Sequence, residues 1–141
     1  MKYVLDSCVA LKWVLPESDS DKAIQVRDDA NAGIHELLAP DILLVEVAHA
    51  LARAERRGII RPRDGARRLQ NISNNSPTLH AYLSLLPRAF AIASQFRVGV
   101  YDCLYVALAE RELCKHLTAD DRLIRARQPT FPFITSLASL S

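Results

Sequence analysis

A chain of 141 residues fits one domain and is long enough to bury a substantial core. Half of its residues are hydrophobic, 24% are charged and four are glycine; this suits a soluble, compact, helix-rich protein, and no run reaches the roughly eighteen apolar residues of a membrane span. The three cysteines are odd in number and widely spaced, which excludes a disulfide framework or a paired-cysteine zinc site, and the net charge of +2 is small but unevenly spread.

The opening KYVLD predicts a strand that ends at Asp6. That acid also interrupts what would be the apolar core of a secretory signal, and no clear small-x-small cleavage site follows, so the stretch reads as the first strand of a cytoplasmic protein. A short helix is expected over 8–15, stopped by Pro16. Ser18 is expected to cap a helix over 19–32 that closes near Gly33. After a short strand over 37–39, Pro40 and Asp41 open a helix that ends at Gly58. Within it Leu44, Val47, Ala48, Leu51 and Ala54 recur at spacings of three and four, a stripe expected to face the core.

Arg61-Pro62 begins a helix expected to reach residue 72, and the Asn-Ser-Pro piece 73–77 reads as a loop. A short strand is expected within 78–83, then a helix from 84 or 85 to 97. Gly99 breaks it, and 101–113 is the most apolar helix of the set. Residues 115–118 predict a strand, 121–127 a short helix, and the region of Pro129 and Pro132 a last extended segment. Short strands alternating with helices imply an α/β sandwich with a mainly parallel sheet, and no repeat or linker divides residues 1–141.

Charge is concentrated in two places. Between residues 51 and 70, Arg53, Arg56, Arg57, Arg61, Arg63, Arg67 and Arg68 face only Glu55 and Asp64, a local excess of five positive charges. Between 17 and 36 six acids oppose Lys22 and Arg27, an excess of four negative charges. The positive stretch is all arginine, whose fork of donors suits phosphate; an ordinary solvated helix pair is the alternative.

Four acids stand where an acid needs a reason. Asp6 ends the first strand, and Asp120 follows the 115–118 strand by two residues. If both strands are central and parallel, the two emerge on the edge where such sheets bind ligands. Glu46 sits among Leu43, Leu44, Val45 and Val47, and Asp102 opens the most apolar helix. A strand-end turn, a helix cap or a surface acid would explain each one singly. Together, with no lysine nearby, they would repel one another, and a divalent cation with oxygen ligands, Mg²⁺ or Mn²⁺, relieves that cost. No GxxxxGK[ST] motif is present, so a P-loop nucleotide site is set aside.

VLDSCVALKWVLPE, LLVEVAHAL, VYDCLYVALAE and HLTADDRL, in that order from Val4 to Leu123, resemble the four blocks of the PIN-domain nucleases in their small toxin form, the VapC-like ribonucleases. The resemblance implies a PIN-like three-layer α/β/α sandwich and an acidic site at Asp6, Glu46, Asp102 and Asp120. Thr118 matches the hydroxyl residue beside the last aspartate, and Asp121 falls on a variable position. Cys8 departs from the small polar residue common in the family, a change expected to weaken a hydrogen bond behind the site. The resemblance also implies an RNA substrate, an antitoxin partner that covers the acidic groove, and a homodimer. Trp13 with residues 14–17 is a candidate partner surface, with a packed core position as the alternative.

The expected activity is therefore a Mg²⁺- or Mn²⁺-dependent endoribonuclease, the toxin of a toxin–antitoxin pair. Asp6, Asp102 and Asp120 would bind the ion with Glu46 completing the site, and Glu46 or Asp120 would take a proton from the attacking water. The seven arginines from Arg53 to Arg68 are the candidates for contact with the RNA backbone. The alternatives are an inactive PIN-fold nucleic-acid-binding or scaffold protein, and a metal-dependent DNase or phosphatase.

Overall fold

The β-branched and aromatic KYVL forms β1 (Lys2–Leu5), the middle strand of a five-stranded sheet, and buries Tyr3, Val4 and Leu5. The computed structural model describes every residue from Met1 to Ser141. The other strands are β2 (Glu36–Pro40), β3 (Thr78–His80), β4 (Lys115–Thr118) and β5 (Ile134–Ser136), in the spatial order β3-β2-β1-β4-β5, all parallel. Seven helices flank them: α1 (Ser7–Leu11), α2 (Ser20–Asn31), α3 (Leu43–Arg56), α4 (Asp64–Asn74), α5 (Leu86–Phe96), α6 (Val100–Arg111) and α7 (Asp121–Arg127). The expected α/β sandwich with a parallel sheet is present.

Strand order decides where a ligand can sit. The chain builds from β1 outward through β2 to β3, then returns to lay β4 on the other side of β1. The loops leaving β1 and β4 therefore diverge, and a crevice opens at their carboxyl ends. Register fixes its floor: Leu5 lies beside Leu117, and the Asp6 amide donates to the Leu117 carbonyl at 3.0 Å. Helix α6 packs along β1, β2 and β4 with α5 against it, and buries every residue from Cys103 to Ala109. No helix is long and apolar enough to cross a membrane.

Several local expectations are corrected. Ser18 caps nothing. Helix α2 begins at Ser20 after Asp19, and the Ser20 hydroxyl braces the preceding loop, accepting from the Glu17 amide at 2.9 Å and donating to the Leu15 carbonyl at 3.0 Å. The buried stripe of α3 is Leu43, Val47, Leu51 and Ala54; Leu44 and Ala48 lie at its margin, so the face is rotated from the expected one. Helix α4 starts at Asp64, because Arg63 takes a left-handed φ of 79° just before it, and it runs on to Asn74. After α1 the chain turns rather than continuing as helix to Leu15, and β3 stops at His80, where a 3-10 turn (Tyr82–Ser84) takes over. Trp13 is packed: it is buried, and its indole N–H donates to the Ala23 carbonyl at 2.9 Å, so the core alternative holds.

Candidate functional site

Asp6 leaves β1 directly into the crevice and is 6% exposed. One oxygen, Oδ1, accepts the Cys8 amide at 3.4 Å, which caps α1, and the Ser7 hydroxyl at 3.4 Å. The other, Oδ2, accepts the Thr118 hydroxyl at 2.9 Å, and His116 Nε2 stands 3.3 Å from it without the alignment of a hydrogen bond. Burial alone would raise this acid, but the His116 imidazole, the Thr118 hydroxyl and the Cys8 amide outweigh it and hold the carboxyl below its ordinary range. Asp6 is a carboxylate at neutral pH.

Thr118 ties the two strand ends together. Its hydroxyl donates to Asp6 and accepts the Asp120 amide at 3.1 Å. Cys8 joins them from α1, accepting the Ala119 amide at 3.4 Å with its sulfur 3.6 Å from the Thr118 oxygen. Because Thr118 gives its one hydroxyl hydrogen to Asp6, the thiol is the donor toward Thr118 and an acceptor toward Ala119, and burial pushes its pKa far up, so it stays protonated. Asp120 is half-buried and its Oδ1 caps α7 through the amides of Arg122 (3.0 Å) and Leu123 (3.2 Å), whereas Asp121 is exposed in the first turn.

Glu46 and Asp102 reach the same region from helices. Half-buried in the first turn of α3, Glu46 accepts the Tyr105 hydroxyl at 2.6 Å. Burial raises it, Tyr105 eases it, and the negative charges of Asp6 and Asp102 raise it further. Asp102, in the first turn of α6, is open to solvent on one side. Lost hydration and then the charges of Asp6 and Asp120 push it up, with His116 a smaller opposing influence. The four acids thus form one electrostatic group: Asp6 and Asp120 act on Asp102, and Asp6 and Asp102 act on Glu46.

No Lys or Arg forms an ion pair with any of the four. The donors are all carboxylate oxygens, which fits a hard divalent cation in kind. As the side chains stand, no three His, Cys, Asp or Glu residues are gathered into ligating positions, and protein donors engage Asp6, Glu46 and Asp120. Beside Asp102 and Asp120 opens a cleft of about 420 Å³ that also reaches Arg122 and Arg127.

The arginine stretch lies apart from the acids. Arg53, Arg56 and Arg57 occupy the far end of α3, where Arg57 is eleven residues or about 16 Å along the axis from Glu46. Arg61, Arg63 and Arg67 are exposed beyond it, Arg67 pairing with Asp64 at 3.5 Å. Arg68 is half-buried and donates to the Val14 carbonyl, which removes it from the exposed set.

Two residues of the site escape a search of the sequence for acids. His116 is wholly buried, with its ring stacked on Tyr105 at 5.9 Å and an interplanar angle of 16°, and Tyr105 in turn holds Glu46. The available signal was spacing. His116 is two residues before Thr118 and so on the same strand face, and Tyr105 is three after Asp102 on one helix face.

Comparison with known proteins fits this architecture. The model of the PIN domain matches residues 3–129. Ribonuclease VapC3 of Pyrobaculum aerophilum is 35% identical over 87% of this chain and 92% of its own length. Ribonuclease VapC9 of Mycobacterium tuberculosis is 30% identical over 92% of this chain and 94% of its own. Among solved structures, PAE2754 of P. aerophilum superposes with a TM-score of 0.71 at 18% identity, covering 99% of this chain and 94% of that one. VapBC2 of Rickettsia felis, solved bound to a DNA fragment from its promoter, gives 0.65 at 12% identity over 96% and 97% of the two chains. These two likenesses concern the fold.

Proposed function

The chain belongs to the PIN-domain family, with the VapC ribonucleases as relatives, and on that premise we propose that it is a Mg²⁺- or Mn²⁺-dependent endoribonuclease, the toxin of a toxin–antitoxin pair. The observation that carries the reading is the group of four mutually repelling carboxylates, unpaired with any Lys or Arg, at the switch point of a parallel sheet. Such a group would repel RNA phosphate on its own, and it has a use once a cation stands between the two.

Asp6, Asp102 and Asp120 hold the ion in this reading, with Glu46 completing the set. The bound ion supplies neutralising charge at the phosphate and eases deprotonation of water. The chain supplies position. Thr118 and the α1 cap fix Asp6, the first turn of α7 fixes Asp120, and Tyr105 fixes one oxygen of Glu46. Glu46 or Asp120 would accept the proton of the attacking water, each keeping one carboxylate oxygen that no protein donor engages. With water as nucleophile and the 3′ oxygen as leaving group, the products would carry a 5′-phosphate and a 3′-hydroxyl.

The same reading takes residues 1–141 as a single PIN-like domain acting in the cytoplasm, inhibited by an antitoxin protein. It also makes the protein a homodimer, for which exposed Leu83, Phe90 and Tyr101 offer apolar surface. The test is an assay of RNA, DNA and small phosphoesters with Mg²⁺, Mn²⁺ or EDTA, using wild type and Asp6→Asn. RNA cleavage that needs the ion and is lost in Asp6→Asn is expected. A 2′,3′-cyclic product, or cleavage undiminished in EDTA, overturns the mechanism.

A further inference from the structure

The cleft that opens on Asp102 and Asp120 continues along α7, walled by apolar side chains that include Val106, Leu123, Ala126 and Phe131. Its charge is uneven along the helix, with Arg122 close to Asp120 in the first turn of α7 and Arg127 alone at the other end. Asp120 caps the first turn of α7 and Arg127 stands in the last, seven residues or about 10 Å farther along the axis. Neither Arg122 nor Arg127 has a carboxylate partner. The Arg127 guanidinium lies 4.5 Å from the centre of the Phe96 ring, which holds the side chain in place at the cleft wall with its charge unpaired.

A volume of about 420 Å³ lies within the range of roughly 300–1,000 Å³ typical of small-molecule sites. The distribution of charge narrows the occupant. An acidic peptide would meet Asp102 and Asp120, and a basic one would meet Arg122 and Arg127. A nucleotide within a strand suits the remaining walls: the apolar slot takes its base, and Arg127 takes the phosphate on its far side, while Asp102 and Asp120 are left to the ion of the reading above. We propose that this cleft is a subsite for one nucleotide of the RNA chain, the one adjoining the bond to be cut. The base enters between the apolar walls, and Arg127 meets the next phosphate. The subsite makes cleavage depend on the identity of that nucleotide, and it rests on the hydrolytic reading given above.

Two measurements test it. In EDTA, where nothing is cut, the four nucleoside 5′-monophosphates are titrated into the protein and followed by amide NMR. Shifts confined to Gly99, Leu123, Ala126 and their neighbours are expected, with about a tenfold spread in affinity among the bases. In the ion-activated assay, Ala126→Trp fills the slot from an exposed position and should flatten the nucleotide preference beside the cut. Arg127→Gln should raise KM with kcat retained. Circular dichroism confirms that both variants fold. The proposal is overturned if the monophosphates shift only amides of the α3–α4 arginines, or if Ala126→Trp keeps the wild-type cut preference; the cleft is then left to a protein side chain. If wild type cuts no RNA with either ion, the hydrolytic reading fails by itself and the titration alone judges the cleft.

Discussion

Thr118 is the residue through which the two central strand ends act on one another. Its single hydroxyl donates to Asp6 and accepts the amide of Asp120, so it orients one acid and the backbone that carries another. Thr118→Val keeps the shape and removes both bonds. The change should cost about 1–3 kcal/mol by leaving an amide and a carboxylate oxygen short of partners, and should lower cleavage about 10–100-fold, as loss of a support behind an ion ligand does. Thr118→Ser should restore most of both. Urea denaturation and initial cleavage rates measure the pair, and a Thr118→Val variant that cleaves at full rate would detach the hydroxyl from the chemistry. The acids themselves were visible in the sequence because a carboxylate among Leu and Val, or at the end of a strand, is costly without a purpose. His116 was not visible in that way. A histidine in a four-residue strand reads as ordinary, and its place against Asp6 and Tyr105 follows only from the pairing of β4 with β1.

The helical hairpin formed by α3 and α4 shows what an element can conceal from its sequence. The first turn of α4 has no capping side chain of its own, since Arg63 precedes it in a left-handed conformation. Glu55 reaches across from the last turns of α3, and its Oε2 accepts the amides of Arg63 (3.0 Å) and Gly65 (3.3 Å). A Cβ at residue 65 would stand 2.9 Å from that oxygen, so the glycine leaves room for the cap. Glu55→Ala should therefore cost about 1 kcal/mol, the usual loss for a cap. Gly65→Ala should gain little in wild type, because helix propensity worth about 1 kcal/mol is offset by displacement of Glu55. In the Glu55→Ala background the same change should show its full gain. Additive effects in a double-mutant cycle of urea midpoints would dismiss the cross-helix cap. Periodicity in the sequence located α3, and Arg61-Pro62 marked the helix after it, yet the start of α4 was misplaced by proximity to Pro62, because a cap borrowed from another helix leaves no local signature. The same limit explains Ser18, a good capping residue beside a helix that starts two positions later on a loop braced by Ser20.

At the scale of the whole molecule, the sheet gathers charge that the folded state must bear. Asp102 and Glu46 ordinarily titrate near 3.8 and 4.5, and the fold raises both. From those values up to the raised ones, the folded protein binds more protons than the unfolded chain. The contribution of these two acids is therefore fully present below the ordinary values and is lost as pH rises through the raised ones. Asp6 has the opposite sign: its contribution is present above 3.8 and is lost as pH falls through its depressed value. In EDTA, the stability these two acids contribute should thus decline as pH climbs from about 3.8 and 4.5 through their raised values, with Asp6 opposing only at the acid end. Asp102→Asn should flatten that decline and raise the melting temperature at pH 7, since it removes an acid that Asp6 and Asp120 raise and that itself raises Glu46. Mg²⁺ or Mn²⁺ at about a hundredfold its dissociation constant should then stabilise wild type at pH 7 by about 2.7 kcal/mol, and the variant by much less, because an ion that binds only the folded state adds its own binding energy to folding. Urea denaturation across pH 3.5–7.5, with and without the ion, reads both effects from one set of curves. A wild type whose stability is flat with pH and indifferent to either ion would mean that the four carboxylates bear no shared electrostatic cost, and the proposed ion site would fall with it.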